Sequence, residues 1–145
     1  QCLANHLPLV DVGTGSGTPG VIIACLKPNN SIYLVEPIAK RTAFLRSVSR
    51  ELGLKNVHII RGRWPQDLPD RVVQVISRAV VSPESWPHLA TERAPGKDHV
   101  IRMLAAQRPP VSLPGYAETA HINYDLAVHG ERRVERWSPQ GPSAP

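Results

Sequence analysis

The chain has 145 residues, 41% of them apolar and 20% charged, with a formal net charge of +5. That length suits one domain with its own core and is short for two. No apolar run reaches the about 20 residues of a membrane-spanning helix, no signal peptide opens the chain, and the six histidines have no metal-ligand spacing. Cys2 and Cys25 are expected to be idle thiols of a cytoplasmic protein. The chain starts at Gln1 and its single methionine is Met103, so it is expected to be an N-terminally shortened piece of something longer.

Residues 7–13, Leu-Pro-Leu-Val-Asp-Val-Gly, form a short apolar run closed by glycine and predict a buried strand. Thr18-Pro19 predicts an N-cap with proline at the first helical position, opening a helix through Val21–Leu26. Ile32–Val35 predicts a second strand. From Ile38 to Leu52, Phe44, Leu45, Val48 and Leu52 fall at helical spacing while Arg46 and Arg50 share another face, and Gly53 ends the helix. Strands follow at Val57–Ile60 and Val72–Ser77, a helix over 83–94, and a fifth strand at Val100–Ala105. After a proline-rich loop over 108–114, His121–Val128 and Arg132–Trp137 predict a hairpin. Residues 1–137 are thus expected to form one domain, and 138–145 a disordered tail. Alternating strands and helices predict an α/β fold with a mainly parallel sheet, and the closing antiparallel hairpin is what a class I methyltransferase sheet has.

Charge is concentrated rather than spread. Between Lys40 and Arg63 lie seven basic residues (Lys40, Arg41, Arg46, Arg50, Lys55, Arg61, Arg63) and one acid, Glu51. Such a segment suits a polyanionic partner, and a solvated helix face explains it equally well. Lys40, Arg41, Arg46 and Arg50 are the candidate RNA contacts.

The chemistry centres on Asp11-Val12-Gly13-Thr14-Gly15-Ser16-Gly17-Thr18-Pro19-Gly20. Alternate glycines after a strand let the backbone turn tightly and approach a ligand. A phosphate-cradling loop would need a Lys after its last glycine, and Val21 and Ile22 follow Gly20 instead. A dinucleotide fingerprint starting at Gly13 fails at Thr18, although Gly15, Gly17 and Gly20 complete the spacing, which keeps an NAD-dependent oxidoreductase open. The pattern Asp-x-Gly-x-Gly-x-Gly instead matches the S-adenosyl-L-methionine loop. Glu36, at the end of the second strand, can accept hydrogen bonds from both ribose hydroxyls.

Four stretches in order, Asp11–Gly20, Ala39–Arg46, Glu51–Val57 and Ser77-Arg78-Ala79, make the chain resemble the glucose-inhibited division protein B family. Members of that family methylate N7 of a guanine in small-subunit (16S) ribosomal RNA. The resemblance covers about residues 7–107 and more loosely Gly130–Arg133. It implies cofactor contacts at Gly13 and Thr18 within the loop that also holds Asp11, Gly15 and Gly17, an acidic ribose ligand at Glu36, and an adenine-flanking pair at Trp64 and Pro65. It also implies a catalytic-face arginine, Arg78, beside cofactor and substrate. The implied partner is 16S rRNA or the small ribosomal subunit, met by a cytoplasmic monomer.

Guanine N7 has an in-plane lone pair and no proton to lose, so its methylation needs alignment more than a base. The Asn/Asp-Pro-Pro-Tyr motif of exocyclic-amine methyltransferases is absent; Ser77-Arg78 stand there instead. A cationic Arg78 would repel a sulfonium, which assigns it to a phosphate or a base edge, or to a structural pairing with a loop carboxylate. The sequence departs from the family in lacking its N-terminal helical region, in having Trp64-Pro65 where a small apolar residue and Glu are usual, and in having Ala105-Ala106 where the fifth strand ends Lys-Gly. The missing Lys and N-terminal region motivate one alternative, a non-catalytic cofactor- or RNA-binding relative; another is a small-molecule methyltransferase, since fold does not fix substrate, although the basic helix Lys40–Arg50 argues against it.

Overall fold

The computed structural model describes residues 2–5, 7–65, 73–78, 80–92, 96–105 and 111–141. In chain order the elements are β1 (Leu9–Val12), α1 (Gly20–Leu26), β2 (Ile32–Val35), α2 (Ala39–Glu51), β3 (Val57–Ile60), β4 (Gln74–Ser77), α3 (Trp86–Thr91), β5 (His99–Ala105), β6 (Tyr116–Leu126) and β7 (Gly130–Pro139). They build one seven-stranded sheet in the order β3-β2-β1-β4-β5-β7-β6. The first five strands pair in parallel, while β7 runs antiparallel to both β5 and β6. Connections of the strand-helix-strand kind impose parallel pairing, whereas the short link 127–129 imposes an antiparallel hairpin. This is the class I methyltransferase fold.

The central strands are buried on both faces, so β1, β2 and β4 show no alternation of buried and exposed positions, and their polar residues Asp11, Gln74 and Ser77 are buried with hydrogen-bond partners. Val10, Val12, Tyr33, Val35, Val75 and Val100 point to one face, where Trp86 and Ala90 of α3 cover them. Leu9, Ile32, Leu34, Ile76 and Ile101 point to the other, where Ala24 of α1 and Leu45 of α2 lie. Among the described residues no helix is long and apolar enough to cross a membrane.

Several expectations need correction. Thr18 does not cap α1: Pro19 holds the N-cap position with no side-chain hydrogen bond. The Asp11 carboxylate, from the preceding strand, accepts the Gly20 N–H at 2.9 Å and satisfies that free donor from across the loop. The inward stripe of α2 is Thr42 and Leu45, with Val48 and Ser49 half-buried; Phe44 and Leu52 are half-exposed. Thr42 can face inward because its hydroxyl donates to the Ala39 carbonyl within the helix.

The helix expected over 83–94 is shorter, at Trp86–Thr91, and residues 93–94 lie outside the described ones. The hairpin strands are longer than predicted, and β7 includes Ser138 and Pro139, which were expected in a disordered tail. Ser138 is held by hydroxyl contacts to His99 and Thr119, and the Gln140 N–H donates to the Gly115 carbonyl. Residues 142–145 of the expected tail lie outside the described residues, as do Val72, Ala79, Ala106 and 108–110.

Candidate functional site

β1 is flanked by β2 on one side and β4 on the other, so chain connections leave it in opposite directions. At such a switch point the loops after neighbouring strands separate and leave a crevice at their carboxyl ends. Register puts Val12 level with Val35 and with Ser77, so the three segments that follow open at one height. A cavity of about 520 Å³ occupies this place, a size ordinary for a small-molecule site. Its lining includes Gly13, Gly15 and Thr18 of the glycine loop, Glu36 after β2, Trp64 after β3 and Arg78 after β4.

The loop reaches this position through backbone geometry that glycine supplies. Gly13, Gly15 and Gly17 have φ of 64°, 59° and 96°, the left-handed region that a Cβ disfavours. Space around them differs. A Cβ on Gly17 would stand 2.5 Å from Val21 Cγ2 and 3.0 Å from Leu45 Cδ2, so this glycine lets α1 and α2 pack against the loop. A Cβ on Gly15 would meet only the Gly13 carbonyl oxygen, at 3.9 Å. Gly15 therefore keeps the cavity side of the loop bare, while Gly17 serves the packing beneath it.

Two buried carboxylates tie the loop down. Asp11 does not line the cavity. Its Oδ2 accepts the Thr14 hydroxyl at 2.6 Å and the Gly20 N–H at 2.9 Å. Burial pushes the Asp11 carboxyl up to about 6, against the opposing pull of Thr14, Gly20 and the Arg78 charge. Glu36, 1% exposed, does line the cavity. Its Oε2 accepts the Gly15 N–H and its Oε1 the Ile38 N–H, both at 3.0 Å. Each oxygen retains a second lone pair.

The remaining candidates divide by position. Arg41, expected among RNA contacts, lines the cavity, with Nη1 3.7 Å from Glu36 Oε2. Arg46 and Arg50 are exposed farther along α2, beside Lys55, and Lys40 is exposed at its start. Trp64 lines the cavity and also packs on the core, its indole N–H donating to the Leu89 carbonyl at 2.6 Å. Pro65 and Gly17 are not in the lining. Arg78 is exposed and borders a second cavity of about 390 Å³ that also touches Ser77 and Arg102.

Sequence reasoning missed Thr14 and Arg102, and it named Arg41 and Arg63 only as part of the basic segment, not at the cavity. Thr14 had a signal, three residues from an aspartate that had to be buried. Arg102 had another, a lone charge in the strand His-Val-Ile-Arg-Met-Leu-Ala. Among the described residues the cavity's titratable lining is Glu36 and the three arginines Arg41, Arg63 and Arg78. It includes no histidine, cysteine, lysine or tyrosine that would serve as a general base.

Comparison with solved structures identifies the fold. TrmN from Thermus thermophilus superposes with a TM-score of 0.70 at 20% identity, over 92% of this chain and 44% of that one. The precorrin-6y C5,15-methyltransferase from Geobacter metallireducens gives 0.62 at 16%, over 96% and 83%. Magnesium protoporphyrin IX methyltransferase from Synechocystis, solved with bound SAM, gives 0.64 at 15%, over 92% and 70%.

Sequence comparison is more specific. The ribosomal RNA small subunit methyltransferase G of Anaeromyxobacter dehalogenans is 33% identical, over 93% of this chain and 67% of its own length. Those of Nocardioides sp. and Serratia proteamaculans are 39% and 34% identical, over 56% and 72% of this chain and 34% and 53% of theirs. The chain thus spans between about a third and two thirds of the length of these three relatives. The family model described as rRNA small subunit methyltransferase G matches residues 1–106, so the chain belongs to the rRNA small subunit methyltransferase G family.

Proposed function

We propose that this protein transfers a methyl group from S-adenosyl-L-methionine to N7 of a guanine in 16S rRNA, as a cytoplasmic monomer acting on the RNA or the small ribosomal subunit. The observation that carries this reading is the cavity's lining: a glycine loop and a buried carboxylate on one side, arginines on the other, and, among the described residues, no candidate proton acceptor besides Glu36. Both Glu36 oxygens already take backbone N–H groups, which orients the carboxylate as an acceptor.

The cofactor fits this cavity on structural grounds. Gly15 leaves room for its amino-acid arm, the spare lone pairs of Glu36 suit the ribose hydroxyls, and the Trp64 face suits the adenine. When bound, the cofactor supplies an electrophilic methyl carbon on a sulfonium. Guanine N7 would need to face that carbon with its own in-plane lone pair. No proton moves, so the protein's task is to bring the two reactants into line and exclude other geometries. Arg78, exposed between the two cavities, is positioned to hold the acceptor nucleotide by phosphate or base edge.

The basic face of α2 extends the site. Arg41 at the cavity and Arg50 are nine residues apart, about 14 Å along a helix. They stand about half a turn apart around α2, so Arg46, Arg50 and Lys55 make a separate exposed cationic patch, suited to phosphates beyond the cavity.

The test is incorporation of tritiated methyl from S-adenosylmethionine into small-subunit rRNA, followed by digestion to nucleosides. Label in 7-methylguanosine is the expected result. Label in another nucleoside refutes the N7 assignment. Cofactor binding without any transfer would assign a non-catalytic role.

A further inference from the structure

Arg102 lies in an otherwise apolar strand and is 1% exposed. Its guanidinium stands over the Trp137 ring, 5.9 Å from the centroid, and its Nε is 3.4 Å from Glu135 Oε2. Glu135 does not depend on it. Oε1 accepts from Arg133 Nε at 2.7 Å, and Oε2 accepts from Trp137 Nε1 at 2.9 Å. Arg102 Nε and Nη1, by contrast, are buried without a hydrogen-bond partner among the described residues. Buried donors left unmade are costly, and a leucine at this place would carry no such cost. A packing role therefore does not account for this arginine.

Arg102 does face something. It lines the cavity of about 390 Å³ together with Ser77, Arg78, Val81, Pro83 and Trp86. Arg78 borders both this space and the cavity assigned to the cofactor, so a group held here stands next to the methyl donor. The Ser77 hydroxyl is engaged with the Val12 carbonyl, which leaves Arg102 as the buried donor of the wall among the described residues. We infer that this second cavity is the acceptor-base subsite and that Arg102 donates to the O6 carbonyl of the guanine. The inference rests on the methyltransferase reading above.

Charge and hydrogen-bonding chemistry select this ligand. The buried guanidinium with its unmade N–H bonds suits a carbonyl acceptor, while the exposed Arg78 at the rim is the group suited to a phosphate. Donation to O6 leaves the adjacent N7 lone pair free to attack. Adenine presents an amino donor at the same place and would set donor against donor. Arg102 thus serves as a base-recognition residue, distinct from the exposed arginines of α2.

Ligand-observed NMR titrations with GMP, AMP and inorganic phosphate, run with S-adenosylhomocysteine present, test it. The wild-type protein should prefer GMP over AMP by about tenfold, and phosphate should not displace GMP. R102K keeps a cation beside Glu135 but loses the fork, and R102M removes both. Each should bring the GMP-to-AMP ratio near one and leave S-adenosylhomocysteine affinity within about twofold. Since either variant could unfold, V81F provides a second route, because Val81 is partly exposed and its enlargement fills the same cavity. It should abolish GMP binding. Equal binding of GMP and AMP to wild type, or a preference that survives in folded R102K or in V81F, overturns the proposal. Transfer to rRNA reads the methyltransferase assignment separately: wild-type transfer with unchanged kcat/KM in R102K sinks only the subsite.

Discussion

Replacing Asp11 by asparagine separates the cost of burying a charge from the benefit of the bonds it makes. Asp11 is fully buried, its Oδ2 holds Thr14 and Gly20, and its Oδ1 has no partner among the described residues. Burial raises its carboxyl from 3.8 to about 6, a shift on the order of 3 kcal/mol at 1.36 kcal/mol per unit. The native state therefore takes up this proton more readily than the unfolded chain. The stability that Asp11 contributes is fully present below about pH 4 and is lost as pH rises through about 6.

Asparagine keeps a carbonyl for the Gly20 N–H and has no charge to bury. The difference in unfolding free energy between variant and wild type should then shift by about 3 kcal/mol between pH 4 and pH 7.5, with Asp11→Asn gaining on wild type as pH rises. Urea unfolding followed by the fluorescence of buried Trp86 reads this directly, since the comparison cancels every other titrating group. Parallel curves at all pH values would refute the reasoning.

Further predictions follow from the loop and the helix behind it. Gly17→Ala should lower stability by about 2–4 kcal/mol, combining a left-handed backbone with overlap on Val21 and Leu45, and thermal unfolding measures it. Gly15→Ala has space for its Cβ, so it should cost only about 1–2 kcal/mol of stability and weaken cofactor binding more than Gly17→Ala does, as calorimetry would show. Reversing Arg46 and Arg50 to Glu should flatten the salt dependence of rRNA binding, which falls by roughly 0.7 log units per decade of salt for each phosphate neutralised on single strands. Cofactor affinity should stay unchanged, because neither residue lines the cavity. A filter-binding salt series identical to wild type would remove the basic face from the account.

Local patterns were legible where one residue type decided the outcome. β2 and β3 fall where predicted because each is a short β-branched run bounded by turn-forming residues. The glycine loop was legible because its left-handed backbone needs glycine at those positions. What escaped was set by partners distant in sequence. The cap of α1 comes from Asp11 on the preceding strand, not from Thr18, and no local motif announces that. The buried stripe of α2 is rotated from the expected one because Thr42 satisfies its own hydroxyl, freeing an inward position that composition reserves for apolar residues.

Among site residues, Gly13, Gly15, Thr18, Glu36, Trp64 and Arg78 come together around one cavity. Arg41 joined them unexpectedly, since charge counting cannot separate the first turn of α2, which faces the cavity, from later turns that face solvent. Arg102 was passed over for a similar reason. Its isolation in an apolar strand was visible, but its missing partners appear only once β7 and Trp137 are packed beside it.

What the cavity between β1, β2 and β4 binds decides the function of the protein. Isothermal titration of S-adenosylmethionine or S-adenosylhomocysteine into wild type and Glu36→Ala, with NAD as the competing ligand, tests it most directly. The expected result is saturable binding of the sulfur cofactor, weakened by about 1–3 kcal/mol in Glu36→Ala because the ribose hydroxyls lose a charged acceptor and the Gly15 N–H its anchor. NAD should give no heat. Equal affinity in wild type and variant, or saturable NAD binding in place of the sulfur cofactor, would contradict the account.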